Sequence, residues 1–216
     1  MKRSSFALAL SLSSAVALAA PPQTLFEMAG VHPTPGRLSD SVLVIIDAQR
    51  EYRDGSLPLT GIEAALTEDA KLLARARAAG TPVVHVVHRG GGNLFNPQGA
   101  FFAVLPPLVP KDGETVVEKR LPNAFAGTDL EQVLAASQRK HLIVVGFMTH
   151  MCVSATVRAA LDHGYATTVV ASATATRDLP DGKGGKVTAA EIQRASLAEL
   201  ADRFADVVTS QDVIAE

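Results

Sequence analysis

Six short runs of β-branched and other apolar residues recur along the chain, and helix-like stretches separate most of them. They are SVLVIIDAQ (41–49), PVVHVVH (82–88), ETVVEK (114–119), HLIVVGF (141–147), ATTVVAS (166–172) and, more weakly, ADVVTS (205–210). Runs this continuously apolar suit strands buried on both faces, and a parallel sheet with helices on either side supplies that burial. The fold class that follows is α/β, in three layers, α/β/α.

The helix boundaries have chemistry of their own. Thr60 with Glu63, Thr128 with Glu131 and Thr188 with Glu191 fit the S/T-x-x-E spacing in which two side chains satisfy backbone N–H groups at a helix start. Helices over 61–79 and 150–163 should stop at Gly80 and Gly164, since glycine tolerates the left-handed conformation beyond a last turn. The segment 89–113 is long and rich in glycine and proline, the kind of connection that usually carries function.

The first nineteen residues place Lys2 and Arg3 before an apolar run that ends in small residues, the layout of a secretory leader. The run is too short to span a bilayer. The expected organisation is therefore a signal peptide over 1–19, an irregular proline-rich arm over 20–40 and one domain over 41–216, with export to the periplasm or the exterior. A formal charge of −2 gives no basic face for nucleic acid or an anionic membrane surface, so a small molecule is the expected partner. The chain has one cysteine, Cys152, so an internal disulfide is excluded, and the thiol is either an inert core group or kept for its chemistry.

Ligands of open parallel sheets bind beyond the carboxyl ends of the strands. Asp47 follows the first run, Lys119 ends the third and Cys152 opens the helix after the fourth. A thiol at a helix start meets backbone N–H groups and the positive end of the helix dipole, which favour the thiolate, as would a nearby ammonium. An aspartate within reach can take the thiol proton and return it to a leaving amine, while N–H groups of the same turn face a developing oxyanion. Singly, each residue also has an ordinary reading: a small buried hydrophobe, a helix cap, a solvated lysine.

The blocks VLVIIDAQREY, VVEKRLPNAF and GFMTHMCVSATVRAALDHGY resemble, in order and spacing, the signature blocks of the isochorismatase-like cysteine hydrolases. The likeness runs from about Ser41 to Val208. It implies a six-stranded parallel sheet in a Rossmann-like, doubly wound arrangement, with Asp47, Lys119 and Cys152 as the triad. It also implies a non-proline cis peptide at Met148–Thr149 and an oxyanion hole from the N–H groups of Thr149 and Cys152. Family members that cleave the isochorismate vinyl ether lack the cysteine, whereas its amidases keep it, so Cys152 points to hydrolysis of an amide, lactam or carbamoyl C–N bond through a thioester. Homo-oligomers of two or four subunits are common in the family, and here an assembly would cover the apolar stretch 101–109.

Nicotinamidases of that family hold a metal on an Asp-x-His pair and a further histidine. That set is missing here, and two residues separate His85 from His88, which in a strand sends them to opposite faces, so neither a metal nor another cofactor is expected. The expected pocket wall comprises His88, Phe95, Phe125 and His150, with Phe101 and Phe102 shared between pocket and core; Arg177 and Asp178 read as a surface pair, with contact at the rim of the cleft as the alternative. Two other readings stay open. An exported, non-catalytic ligand-binding protein would not need a low-pKa, readily alkylated Cys152, and a thiol redox sensor would lack a resolving cysteine.

Overall fold

The computed structural model describes residues 20–216, so the leader expected at 1–19 lies outside the described residues. The strands are β1 (Ser41–Ile46), β2 (Val83–His88), β3 (Thr115–Lys119), β4 (His141–Phe147), β5 (Ala166–Ala175) and β8 (Asp206–Val208), with a short hairpin of β6 (Leu179–Pro180) and β7 (Lys186–Val187). The main sheet is six-stranded in the order β3-β2-β1-β4-β5-β8, and each pairing is parallel. The helices are α1 (Leu25–Met28), α2 (Ile62–Ala78), α3 (Leu130–Ala136), α4 (Ser154–Asp162) and α5 (Ala189–Arg203). Among the described residues, no helix is long and apolar enough to cross a membrane.

All six residues of β1 are buried, with Leu43 and Ile45 joining α2 in one core and Val42, Val44 and Ile46 joining α3 and α4 in the other. Burying such a side chain contributes about 1.5–3 kcal/mol, which explains why the near-continuous apolar runs become central strands. The strand order changes direction between β1 and β4, and the two strand ends there deliver Asp47 and the turn before Cys152 to one crevice.

Several boundaries differ from the expectation. Thr188 and Glu191 form the full capping box, but α2 starts from Gly61 and α3 from Asp129. Thr60 is engaged in a bridge to Thr176, and the Thr128 hydroxyl bonds to the Ala124 carbonyl while accepting from the Leu130 N–H. The arm holds an unforeseen capping box, Thr24 with Glu27, around the one-turn α1, and the Asp202 carboxylate accepts from the Leu25 N–H at 2.8 Å to hold it in place. Gly80 and Gly164 take the left-handed conformation at the expected helix ends. Gly146 does so for another reason: a Cβ there would meet the Ile46 carbonyl oxygen of the neighbouring strand at 2.1 Å.

Candidate active site

Asp47 leaves β1 with φ 49°, a left-handed conformation uncommon for a residue with a side chain, while its N–H bonds to the Val86 carbonyl at 2.8 Å. Lys119 ends β3, the edge strand. Cys152 lies in a wide π-type turn, Thr149–Val153, between β4 and α4. The side chains of Asp47 and Lys119 are fully buried, and Cys152 is 4 % exposed. Lys119 Nζ stands 2.7 Å from Asp47 Oδ2, 3.3 Å from Cys152 Sγ and 3.0 Å from His88 Nδ1. The three residues expected at the strand ends therefore meet, and one ammonium bridges them.

Burial governs the titration of this group. It raises the Asp47 carboxyl above the ordinary carboxylate value, with Lys119 opposing the rise. It pushes the Cys152 thiol up to about 12, and the Asp47 charge adds to that while Lys119 works against it. Burial and the Lys119 charge together pull His88 down to about 4, so its ring is neutral near pH 7. The expectation of a resting thiolate at a helix start is thus corrected: desolvation and a neighbouring carboxylate outweigh the helix end and the ammonium. A neutral thiol rests beside a carboxylate made more basic by burial.

Cys152 opens on a cleft of about 490 Å³ whose wall includes Tyr52, His88, the Gly90–Phe95 loop, Pro122, Met148, Met151 and Arg177. His88 and Phe95 are where the sequence put them, with the Phe95 ring edge-on to Tyr52 and to His88, centroids 5.1 Å apart in each case. Phe125 is not part of this wall; it stacks on His163 at 4.4 Å and packs in the core shared with α3 and α4. Nor is His150, whose Nδ1 lies 2.5 Å from the Thr176 hydroxyl, because the wide turn presents Met151 and Cys152 to the cleft instead. Phe101 and Phe102 pack under Arg50 and Arg89. The cis peptide falls one residue earlier than expected, at Phe147–Met148: β4 pairs with β5 through Phe147, so the chain turns directly after the strand. Met148 then lines the cleft, its carbonyl accepting from the N–H groups of Met151 and Val153, while the Thr149 hydroxyl donates to Gln193.

Tyr52, Pro122 and Met151 escaped the sequence reading, which gives Arg177 the rim only as the lesser alternative. Tyr52 lies in the short Arg50–Tyr52 helical turn after Asp47. Arg177 is not half of a surface pair, since Asp178 pairs with Lys186 instead; Arg177 lines the cleft, and its Nε is buried without a hydrogen-bond partner among the described residues. As for a metal, Asp47, His88 and Cys152 each offer a ligand atom, all within 4.8 Å of one another. Lys119 Nζ, at 2.7–3.3 Å from all three residues, already fills the space between them with a positive charge. His85 points the other way, to Glu114 at 2.8 Å.

Comparison with known proteins bears on this geometry. The isochorismatase domain pattern matches residues 41–212. A secreted isochorismatase effector of Verticillium dahliae is 42 % identical over 86 % of this chain and 96 % of its own length. A maleamate amidohydrolase of Pseudomonas putida is 29 % identical over 80 % of this chain and 84 % of its own. The solved structure of an isochorismatase from Pseudomonas putida superposes with a TM-score of 0.86 at 45 % identity, covering 90 % of this chain and all of that one. The matched span takes in Asp47, Lys119, Cys152 and both walls of the cleft, and the chain belongs to the isochorismatase family.

Proposed function

We propose that the protein is a cysteine hydrolase that cleaves an amide, lactam or carbamoyl C–N bond of a small molecule through a thioester acyl-enzyme. The observation that carries this reading is the single ammonium of Lys119 held 2.7 Å from the Asp47 carboxylate and 3.3 Å from the Cys152 sulfur at the cleft. As Sγ bonds to the substrate carbonyl carbon, its proton passes to Asp47, and the oxyanion is received by backbone N–H groups of the turn from Met148 to Cys152, the two residues of it that the sequence reading and the cleft wall share. The C–N bond then breaks, and Asp47 returns the proton to the leaving nitrogen. Water attacks the thioester, gives a proton to Asp47 and releases the acid, after which the proton returns to sulfur. Lys119 holds the carboxylate beside the thiol. The amidohydrolase relative supports C–N cleavage, and the Arg177 guanidinium suits an acidic group on the substrate.

The test is turnover of a panel of amides, lactams, ureas and carbamoyl compounds by the wild type and Cys152→Ala, with intact-mass detection of the acyl-enzyme. Loss of about 10³-fold or more in kcat with the substitution is expected for a nucleophile. Turnover that survives would refute covalent catalysis. Because the resting thiol is protonated, alkylation rate does not separate hydrolase from ligand-binding protein; binding of panel compounds without any turnover would favour the latter.

A second reading, cleavage of isochorismate, is favoured by the name of the secreted relative. Isochorismate turnover retained in Cys152→Ala would select it. The reading also includes export, supported by the layout of residues 1–19 and by that relative's being secreted. It further includes assembly into a homo-oligomer covering apolar side chains such as Val109 and Leu121, which are 50 % and 55 % exposed.

A further inference from the structure

Lys119 has three N–H bonds to give, and the site has three acceptors within reach: an Asp47 oxygen, the Cys152 sulfur and His88 Nδ1. An ammonium cannot accept a hydrogen bond, so the imidazole nitrogen facing it must be the acceptor. That fixes the tautomer. Nδ1 carries the lone pair, and the ring proton sits on Nε2. The backbone that carries the ring is held as well. Gln49, itself fully buried, accepts the His88 N–H at 2.8 Å and donates to the His88 carbonyl at 3.1 Å, and the edge-on Phe95 ring closes one side. His88 lines the same cleft as Cys152, and among the described residues its ring makes its hydrogen bond through Nδ1 alone, leaving Nε2 to the cleft. One of its ring nitrogens lies within 4.8 Å of the Cys152 sulfur, so the ring stands beside the reacting group.

We propose that His88 is a specificity-determining donor of this site, its Nε2–H offered in the cleft to an oxygen acceptor that the substrate carries beside the scissile carbonyl. This rests on the hydrolase reading and narrows its substrate class to amides with such an oxygen on the acyl or the amine side. A donor fixed this close to the chemistry discriminates because a substrate lacking the acceptor leaves the N–H dry and unpaired.

The test compares wild type and His88→Asn on matched amides. One arm sets 2-oxo acyl amides against plain acyl amides; the other sets hydroxyalkyl amines against alkyl amines as leaving groups. Asn keeps an acceptor near the Nδ1 position for Lys119 but has no outward N–H at the reach of Nε2. In one arm the wild type should prefer the acceptor-bearing amide by about tenfold in kcat/KM, as one hydrogen bond of ordinary strength implies. His88→Asn should bring that ratio close to one, mainly through KM, and His88→Gln, whose amide N–H reaches further, should recover part of it. An unchanged ratio in His88→Asn, or no preference in either arm of the wild type, overturns the proposal. A readout that needs no turnover is nitrogen-15 NMR of histidine-labelled protein, with His88 assigned by its loss in His88→Asn. Near pH 7 the ring should be the neutral Nε2–H form, and its Nε2 signal should move on saturation with the 2-oxo or the hydroxyalkyl amide. The other tautomer, a cationic ring or an unmoved signal would overturn the donor role. An Nε2–H ring whose signal moves, in a protein that hydrolyses nothing, would instead count against the hydrolase reading alone.

Discussion

At the scale of single residues the site is an arrangement of one buried positive charge and the groups that need it. Lys119→Met would leave the Asp47 carboxylate buried without its partner, which costs about 3–5 kcal/mol of stability. If Asp47 then keeps its proton to escape that penalty, the base is lost, so activity should vanish even where the variant stays folded; full kcat in a folded Lys119→Met would contradict the proposed role. In the wild type, kcat/KM should fall on acidification through a midpoint above the ordinary carboxylate value of 3.8, because burial raises Asp47. These three residues were legible in the sequence because each stands where an apolar run or a turn reaches the carboxyl edge of the sheet. Tyr52, Arg177 and the exclusion of His150 were not. Their orientation depends on a one-turn helix, on the extension of β5 to Ala175 and on the wide turn at 149–153, none of which leaves a periodic trace. The protonated state of Cys152 was hidden for a similar reason, as burial is a tertiary property and a helix start a local one.

At the scale of elements, the strand runs translated directly, since burial on both faces demands the same apolar residues whatever the tertiary detail. Helix starts did not, because a threonine with a glutamate three places on satisfies backbone N–H groups only when no other partner claims it. The Thr60 backbone N–H is tied to the Thr176 carbonyl and the cap position falls to Gly61, with no side-chain capping bond, whereas the Thr188 hydroxyl accepts from the Glu191 N–H and the Glu191 carboxylate accepts from the Thr188 N–H. Thr188→Ala should therefore lower stability by about 1 kcal/mol. Thr60→Ala, an exposed position, should stay within about 0.5 kcal/mol of wild type. Urea denaturation midpoints of the two variants check this. Equal losses would mean that the sequence pattern alone, without the observed bonds, governs helix stability.

At the scale of the whole molecule, the α/β/α packing buries the side chains of both Asp47 and Asp69 completely, and their fates differ. Asp47 has Lys119 at 2.7 Å. Asp69 lies on the buried face of α2 with Leu66, Leu72 and Leu73, fully buried, and neither of its oxygens has a partner among the described residues. Burial, reinforced by the charge of Glu68, holds its carboxyl well above the usual value. A carboxyl whose proton is held more tightly in the folded chain than in the unfolded one favours folding fully at pH values below about 4, the unfolded value. That contribution is lost as pH rises toward and through the folded value, because unfolding then releases a proton. Asp69→Asn is uncharged at every pH and close in shape, so it removes this dependence without emptying the space. Its stability should match that of wild type near pH 4 and exceed it by more than about 1 kcal/mol near pH 8, since each pH unit above the unfolded value costs about 1.4 kcal/mol until the folded carboxyl ionises. Denaturant unfolding at the two pH values measures the difference. A gap that does not widen with pH would mean that Asp69 is ionised and paired in the folded protein. The helix α2 contributes no residue to the wall of the cleft named above, so kcat should be unchanged by the substitution, which separates the cost of a buried acid in the fold from the use of one in the site.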